Sequence, residues 1–139
     1  MTAKALADTH AAAFATSRPW SEAEFTSLLD QKGVHLIGDL QSFILIRAMA
    51  DEIEILTLAT HPAAQRQGKA AKNLNALMDK AIELEASTIF LEVAADNTPA
   101  IQLYAHAGFA KIATRSAYYA RTNGQAADAL ILQKKLDPA

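Results

Sequence analysis

The sequence predicts an α+β fold, built on a central mixed, mostly antiparallel sheet of about six strands with helices on both faces. Three observations carry that reading. Two short apolar runs, 34–37 and 43–49, are joined by a polar turn and read as an antiparallel pair. An apolar run at 53–59, a long helical pattern and a β-rich run at 88–93 then follow one another, as a parallel strand–helix–strand unit requires. A further helix and two more strand-like runs, 109–114 and 127–132, close the chain.

The elements can be justified in order. Residues 3–14 are alanine-rich, with Leu6, His10, Ala13 and Phe14 at helical spacing, and Arg18-Pro19-Trp20 interrupts the pattern because proline disfavours helix at the preceding residue. Ser21 and Glu24 form a capping box for a second helix that runs to about residue 31, with Phe25, Leu28 and Leu29 on one face and Gly33 beyond its end. Gly38-Asp39-Leu40-Gln41 turns the first strand into the second, and Asp51-Glu52 turns the second into the third. Simple alternation along 53–59 places Glu54, Leu56 and Leu58 on one face and Ile53, Ile55 and Thr57 on the other. Both faces are mostly apolar, as a central strand covered on both sides demands.

Helix 70–85 carries Leu74, Leu77, Met78, Ala81, Ile82 and Glu85 at i, i+3, i+4, i+7 spacing. Asn97 or Thr98 caps the next helix, with Pro99 in its first turn, Ile101, Leu103, Tyr104 and Ala107 along it, and Gly108 at its stop. The last two strands are joined through Tyr118-Tyr119 and the turn signal Asn123-Gly124.

Composition narrows the function. A length of 139 residues suits a single domain spanning residues 1–139, and 51% hydrophobic with 20% charged residues is globular composition. No apolar run approaches the roughly 20 residues of a membrane span, and no basic stretch followed by a long apolar core opens the chain, so a cytoplasmic protein without membrane contact is expected. A formal net charge of −2 supplies no basic footprint for nucleic acid. With no cysteine, disulfides, thiolate metal sites and a cysteinyl covalent intermediate are all excluded. His10, His35, His61 and His106 show no ligand spacing, so no metal is expected, and His61 and His106 read as structural or surface residues.

The stretch Gln65-Arg66-Gln67-Gly68-Lys69-Ala70 lies where the third strand passes into the long helix. Free amides at a helix N-terminus, together with the positive end of the dipole, suit a phosphate, and Arg66 and Lys69 add positive potential. Gly68 and the small Ala70 and Ala71 permit close approach of backbone to a bound group. An ordinary left-handed turn before a helix accounts for the same residues and stays open at this point.

Taken together, several segments resemble the GNAT superfamily of acyl-coenzyme A N-acyltransferases, and within it the RimI-like N-terminal alanine acetyltransferases. Residues 65–70 match that superfamily's pyrophosphate-loop pattern Arg/Gln-x-x-Gly-x-Gly/Ala. Pro19-Trp20-Ser21, Leu91-Glu92-Val93, Asn97 with Ala100, Leu103, Tyr104, Gly108 and Phe109, then Tyr118-Tyr119 and Asp128-Ala129, match in the same order over nearly the whole chain. The first helix starts so early that the N-terminal edge strand usual in the family is expected to be missing. Lys69 stands where relatives are often apolar, Ala70 replaces the commoner glycine, and Ser116-Ala117 replaces a basic stretch.

The resemblance implies acetyl-CoA as co-substrate, its pyrophosphate on Gln65, Arg66, Gln67, Gly68, Lys69, Ala70 and Ala71. It implies a pantetheine arm along backbone near Leu58 and Thr60, an oxyanion-type contact near Leu58, and a cofactor contact at Asn97 in addition to its capping role. It implies Glu92 as general base, with desolvation on its strand raising its basicity, Tyr104 as general acid, and Glu54 as the rival base. Trp20 and Tyr118-Tyr119 would wall a groove for an extended peptide terminus. The acceptor is then an amine, foremost a protein N-terminus and in some relatives that of a ribosomal protein, attacked directly in a ternary complex. A small amine or lysine side chain is the alternative acceptor, and a non-catalytic acyl-CoA-binding module is the alternative of another class.

Overall fold

The computed structural model describes residues 2–13, 20–120, 124 and 126–136. Four helices, α1 (Ala3–Ala13), α2 (Glu22–Leu29), α3 (Lys69–Glu83) and α4 (Thr98–His106), surround six strands. These are β1 (Val34–Gly38), β2 (Ser42–Met49), β3 (Glu52–Thr60), β4 (Thr88–Ala94), β5 (Ala110–Tyr119) and β6 (Ala127–Lys135). They form one sheet in the order β1-β2-β3-β4-β6-β5, antiparallel throughout except for β3 beside β4. The mixed six-stranded sheet expected from the sequence is therefore present. The expected roles of Phe14, Arg18, Pro19 and Asn123 fall outside the described residues.

Two apolar layers hold the sheet. On one side Leu6 of α1 and Phe25 of α2 close over Phe43, Leu45 and Ala59. On the other, Leu74, Leu77 and Ala81 of α3 and Tyr104 of α4 pack on Ile44, Ile46, Ile53, Ile55, Ile89, Leu91, Val93 and Leu132. Burying each such large side chain contributes ~1.5–3 kcal/mol, so the alternation within each strand is what selects its register.

The capping box of α2 is formed, Glu24 N–H donating to Ser21 Oγ and Ser21 N–H to Glu24 Oε1, both at 3.1 Å. Two apolar stripes are narrower than helical spacing implies. Leu29 is exposed at the end of α2, and Ile82 of α3 is 76% exposed, while their neighbours Leu28 and Ala81 face the core. Tyr118 and Tyr119, expected in a connection, instead end β5, and Phe109 precedes that strand as a buried residue against Tyr104.

The third strand departs from simple alternation. Leu45 lies opposite Thr57 but Ile46 lies opposite Ile55, so Leu56 is an extra residue with no partner in β2. Such a bulge shifts everything beyond it by one position. Leu58 therefore joins Ile53 and Ile55 on the α3 side, while Thr57, held by His10 of α1, and Ala59 lie on the side of Glu54. The sequence expectation had Leu58 with Glu54 and Thr57 with Ile53; an inserted residue reverses both.

Helix α3 stops without a glycine. Ala86 N–H donates to Ala81 O at 2.9 Å and Glu85 N–H to Ile82 O at 3.1 Å, the two bonds of a Schellman ending, with Glu85 at φ +58°. A left-handed residue with a Cβ costs about 1–2 kcal/mol. Glu85→Gly is expected to raise stability by about 0.5–1 kcal/mol after the entropic cost of glycine, measured by denaturant unfolding; an unchanged or lower midpoint contradicts a strained Glu85.

Candidate active site

The parallel ladder between β3 and β4 is short. Glu52 to Ile55 pair with Thr88 to Leu91, and pairing stops there although β3 runs on to Thr60 and β4 to Ala94. The strands open into a wedge whose walls are residues 56–60 and 92–94. Glu92 is the first residue of β4 beyond the last ladder pair, whereas Glu54 lies inside the closed part, opposite Phe90.

The mouth of the wedge leads to the loop 65–70. A 3-10 turn, Pro62–Ala64, follows β3 and is capped by His61, whose Nδ1 accepts from Ala63 N–H at 3.1 Å. Gln65 Nε2 donates to Thr60 O at 3.2 Å, and Gln67 Nε2 to Ala63 O at 3.4 Å, so both glutamines brace the loop. Arg66 at φ +62° and Gly68 at φ +73° turn the chain into α3. Gly68 is the N-cap and supplies no side-chain cap, and the first helical bond runs from Lys72 N–H to Gly68 O at 3.0 Å. The amides of Lys69, Ala70 and Ala71 thus have no acceptor within the helix.

A Cβ built on Gly68 would meet no atom within 4 Å, so open space lies in front of it. Within the protein, φ is what demands glycine there. A cleft of about 330 Å³ adjoins, lined by Gly38, Asp39, Ser42, Lys69, Lys72 and Asn73. Free amides, a helix dipole, two lysines and unfilled space match the charge and bulk of a pyrophosphate.

Both candidate bases are ion-paired. Arg115 Nη1 donates to Glu92 Oε1 at 2.8 Å, and Arg47 Nη2 donates to Glu54 Oε1 at 2.8 Å. The expected desolvated Glu92 is not what the structure holds, since its side chain is 31% exposed and faces a guanidinium. The Arg115 guanidinium lies 4.4 Å from the centre of the Tyr118 ring. Its hydrogen bond and charge pairing with Glu92 raise its pKa further.

Tyr104 is on the other side of β4. It is 5% exposed, edge-on to Phe109, and shares the α3-side layer with Leu91 and Val93, whereas Glu92 between them points to the opposite face. Burial, with a smaller contribution from Tyr119, pushes its phenol pKa well above the ordinary value. Asn97 caps α4, its Oδ1 accepting from Ala100 N–H at 3.3 Å. Leu58 is half-buried on the α3 side, and Thr60 Oγ1 is 2.9 Å from Ser42 Oγ at the strand end.

Trp20 belongs to the core beneath α1 and α2. Its ring stacks on His10 at 5.1 Å and tilts against Phe25 at 5.5 Å, and its amide donates to His10 Nδ1 at 3.1 Å. That bond places the ring hydrogen of a neutral His10 on Nε2, which is 3.1 Å from Thr57 Oγ1. Tyr118 and Tyr119 pack edge-on at 5.1 Å beyond Arg115, with Tyr118 half exposed. The structure therefore brings Glu92 and Tyr118 together through Arg115, sets Tyr119 against Tyr118 and near Tyr104, and holds Trp20 against α1.

Arg47 and Arg115 were not singled out from the sequence, and His10 was read there only as a helix residue without ligand spacing. Each acts across strands or elements, 7, 23 and 47 residues from its partner. Only the alternation of Arg47 and Glu54 about a two-residue turn offered a local signal for any of them.

A wedge between two parallel strands, with a phosphate-suited loop at its mouth and a carboxylate and a phenol on opposite faces, is an arrangement that suits a phosphate-bearing donor and a second reactant. The model of the acetyltransferase (GNAT) family matches residues 4–109. The [ribosomal protein bS18]-alanine N-acetyltransferase of Escherichia coli (strain K12) is 33% identical over 118 residues, 82% of this chain and 79% of the relative. The N-alpha-acetyltransferase RimI of Mycobacterium tuberculosis is 30% identical over 95% of this chain and 85% of the relative. The crystal structure of the ribosomal-protein-S18-alanine N-acetyltransferase from Escherichia coli superposes with a TM-score of 0.89 at 30% identity, covering 99% of this chain and 89% of that one. The chain belongs to the GNAT acetyltransferase family.

Two predictions follow from the geometry. Gly68→Ala is expected to cost about 1–2 kcal/mol of stability through φ alone, read by denaturant unfolding; no loss would show that the loop relaxes freely. For Tyr104 the raised folded pKa means that the unfolded chain releases its proton first as pH rises. The contribution is full below about pH 10 and is lost above it by up to ~1.4 kcal/mol per pH unit. Wild type should therefore lose stability relative to Tyr104→Phe between about pH 10 and 11.5; parallel curves would contradict a buried neutral phenol.

Proposed function

We propose that this chain transfers the acetyl group of acetyl-CoA to the N-terminal α-amine of a protein or peptide, by direct attack in a ternary complex in the cytoplasm. The observation that carries this reading is the position of Glu92, first beyond the ladder on one face of β4, with Tyr104 on the other. Donor and acceptor can then enter from opposite sides and meet only at the wedge.

Residues 65–71 and Asn97 would hold the donor, the amides of Lys69, Ala70 and Ala71 taking the pyrophosphate and Arg66 and Lys69 adding charge. Backbone of β3 from Leu58 to Thr60, unpaired toward β4, is available to line the wedge as an added strand would. Acetyl-CoA supplies a thioester carbonyl, which an amide near Leu58 polarises. An α-amine has a pKa of about 7.7–8.0, so a carboxylate suffices as base.

Glu92 accepts the amine proton as the N–C bond forms. Tyr104, kept protonated by burial, gives its proton to sulfur as the C–S bond breaks. Glu54, within the closed ladder and half-buried against Arg47, serves the sheet instead of the chemistry. Tyr118 and Tyr119 flank the acceptor side. Likeness to bacterial N-α-acetyltransferases over most of their length supports a protein N-terminus as acceptor, and a ribosomal protein is the first to try.

The test is thiol release from acetyl-CoA with peptides beginning Ala, Ser or Met and with polyamines. Release with α-amino peptides, lowered about 10²- to 10⁴-fold in kcat by Glu92→Gln and little by Glu54→Gln, is expected. Release with polyamines alone would overturn the acceptor, and CoA binding without release for any amine would reduce the chain to a binding module.

A further inference from the structure

The position that an acceptor amine must reach is already taken by a cation. Arg115 belongs to β5 and Glu92 to β4, with β6 between them; Arg115 lies opposite Ala129 and Glu92 opposite Ile131, so the guanidinium reaches diagonally across β6 to the carboxylate. Ala129, small and fully buried, leaves the path clear. While it holds Glu92, the same guanidinium lies over the half-exposed Tyr118 ring, a contact that does not depend on the carboxylate. The pair is open to solvent, 53% and 31% exposed, and pairs of that kind are weak enough to exchange.

We propose that Arg115 is a positioning residue that stands in for the acceptor's α-ammonium: it holds Glu92 in the free enzyme, yields the carboxylate to the incoming ammonium while keeping its place over Tyr118, and takes Glu92 back once the amine has become an amide. This rests on Glu92 as the base. Two cations cannot share one exposed carboxylate without repulsion, so arrival of the ammonium weakens the hold of the guanidinium on Glu92 and leaves it its contact with Tyr118. Glu92 takes one proton from the ammonium and passes it to water, which frees the nitrogen lone pair for attack; it takes the second as the N–C bond forms, while Tyr104 gives its proton to the departing sulfur and is reprotonated from water. The product nitrogen is a neutral amide with no charge to offer. After Glu92 has passed its proton to water, the guanidinium outcompetes the amide, and product leaves. The device selects for an amine charged on arrival and against its own acetylated product.

The experiment compares Arg115→Gln and Arg115→Lys with wild type, each saturated with CoA. The probes are a hexapeptide with a free N-terminal alanine and the same peptide with a propanoyl group in place of that alanine, which keeps the shape and removes the amine. Calorimetric affinities are expected to show the amine-bearing peptide binding about two- to fivefold more tightly to Arg115→Gln than to wild type. The des-amino peptide should bind both alike, and Arg115→Lys should return the wild-type ratio. Because the two peptides are compared on the same variant, a general loosening of β5 cancels. An unchanged or reduced preference for the amine in Arg115→Gln overturns the proposal. Glu92→Gln separates the two layers: if kcat with the alanine peptide is unaffected, the base reading itself has failed. If kcat collapses while the Arg115→Gln ratio stays at wild type, only the exchange has failed. Failure of wild type to bind either peptide overturns both.

Discussion

The structure depends on where one parallel ladder stops. β3 and β4 are held together by four paired residues each and then diverge, while β4 remains fully paired to β6 on its other edge and β3 remains paired to β2. A sheet that loses pairing in its middle exposes backbone amides and carbonyls that must find other partners. In a sheet whose two faces are each covered by an apolar layer, that deficiency is confined to one wedge and can be met by a ligand. Everything reactive is arranged around it.

The bulge at Leu56 sits just past the last ladder pair and has two effects. It interrupts pairing on the β2 side next to the point where pairing on the β4 side ends, and it exchanges the faces of the strand. Leu58 is turned toward α3 and Thr57 toward α1. Thr57 is then fastened by His10, which also receives the Trp20 amide, so the first helix, the entry to the second and the wedge-lining strand are tied by one imidazole. Trp20 is part of that fastening.

Electrostatics around the site is organised in pairs of unequal standing. Arg47 and Glu54 are each about one-third exposed and lie inside the closed ladder, beside a small cleft lined by Met49, Glu52 and Phe90, where a structural role suffices. Arg115 and Glu92 lie at the opening and are more exposed on the arginine side. Similar ion pairs therefore differ in what can reach them, and reach is set by where the ladder ends.

Much of the fold was legible in the sequence because its signals are local. Ser21 and Glu24 announce a helix start, Asn97 and Pro99 another, and the stripe Leu74, Leu77 and Ala81 identifies the face of α3 that is buried. The order of these elements determined the mixed sheet, and the ordered motifs around residues 65–70, 91–93 and 97–109 pointed to the family. Only the tertiary structure decided the rest. A bulge leaves no mark in residue type, Ile82 falls on the apolar stripe of α3 yet is mostly exposed, and the partners of Glu92, Glu54 and Thr57 come from strands and helices that nothing local relates to them. Local hydrogen bonding and periodicity act over a few residues; ion pairs, strand divergence and the face a side chain takes depend on which distant segments the fold brings alongside.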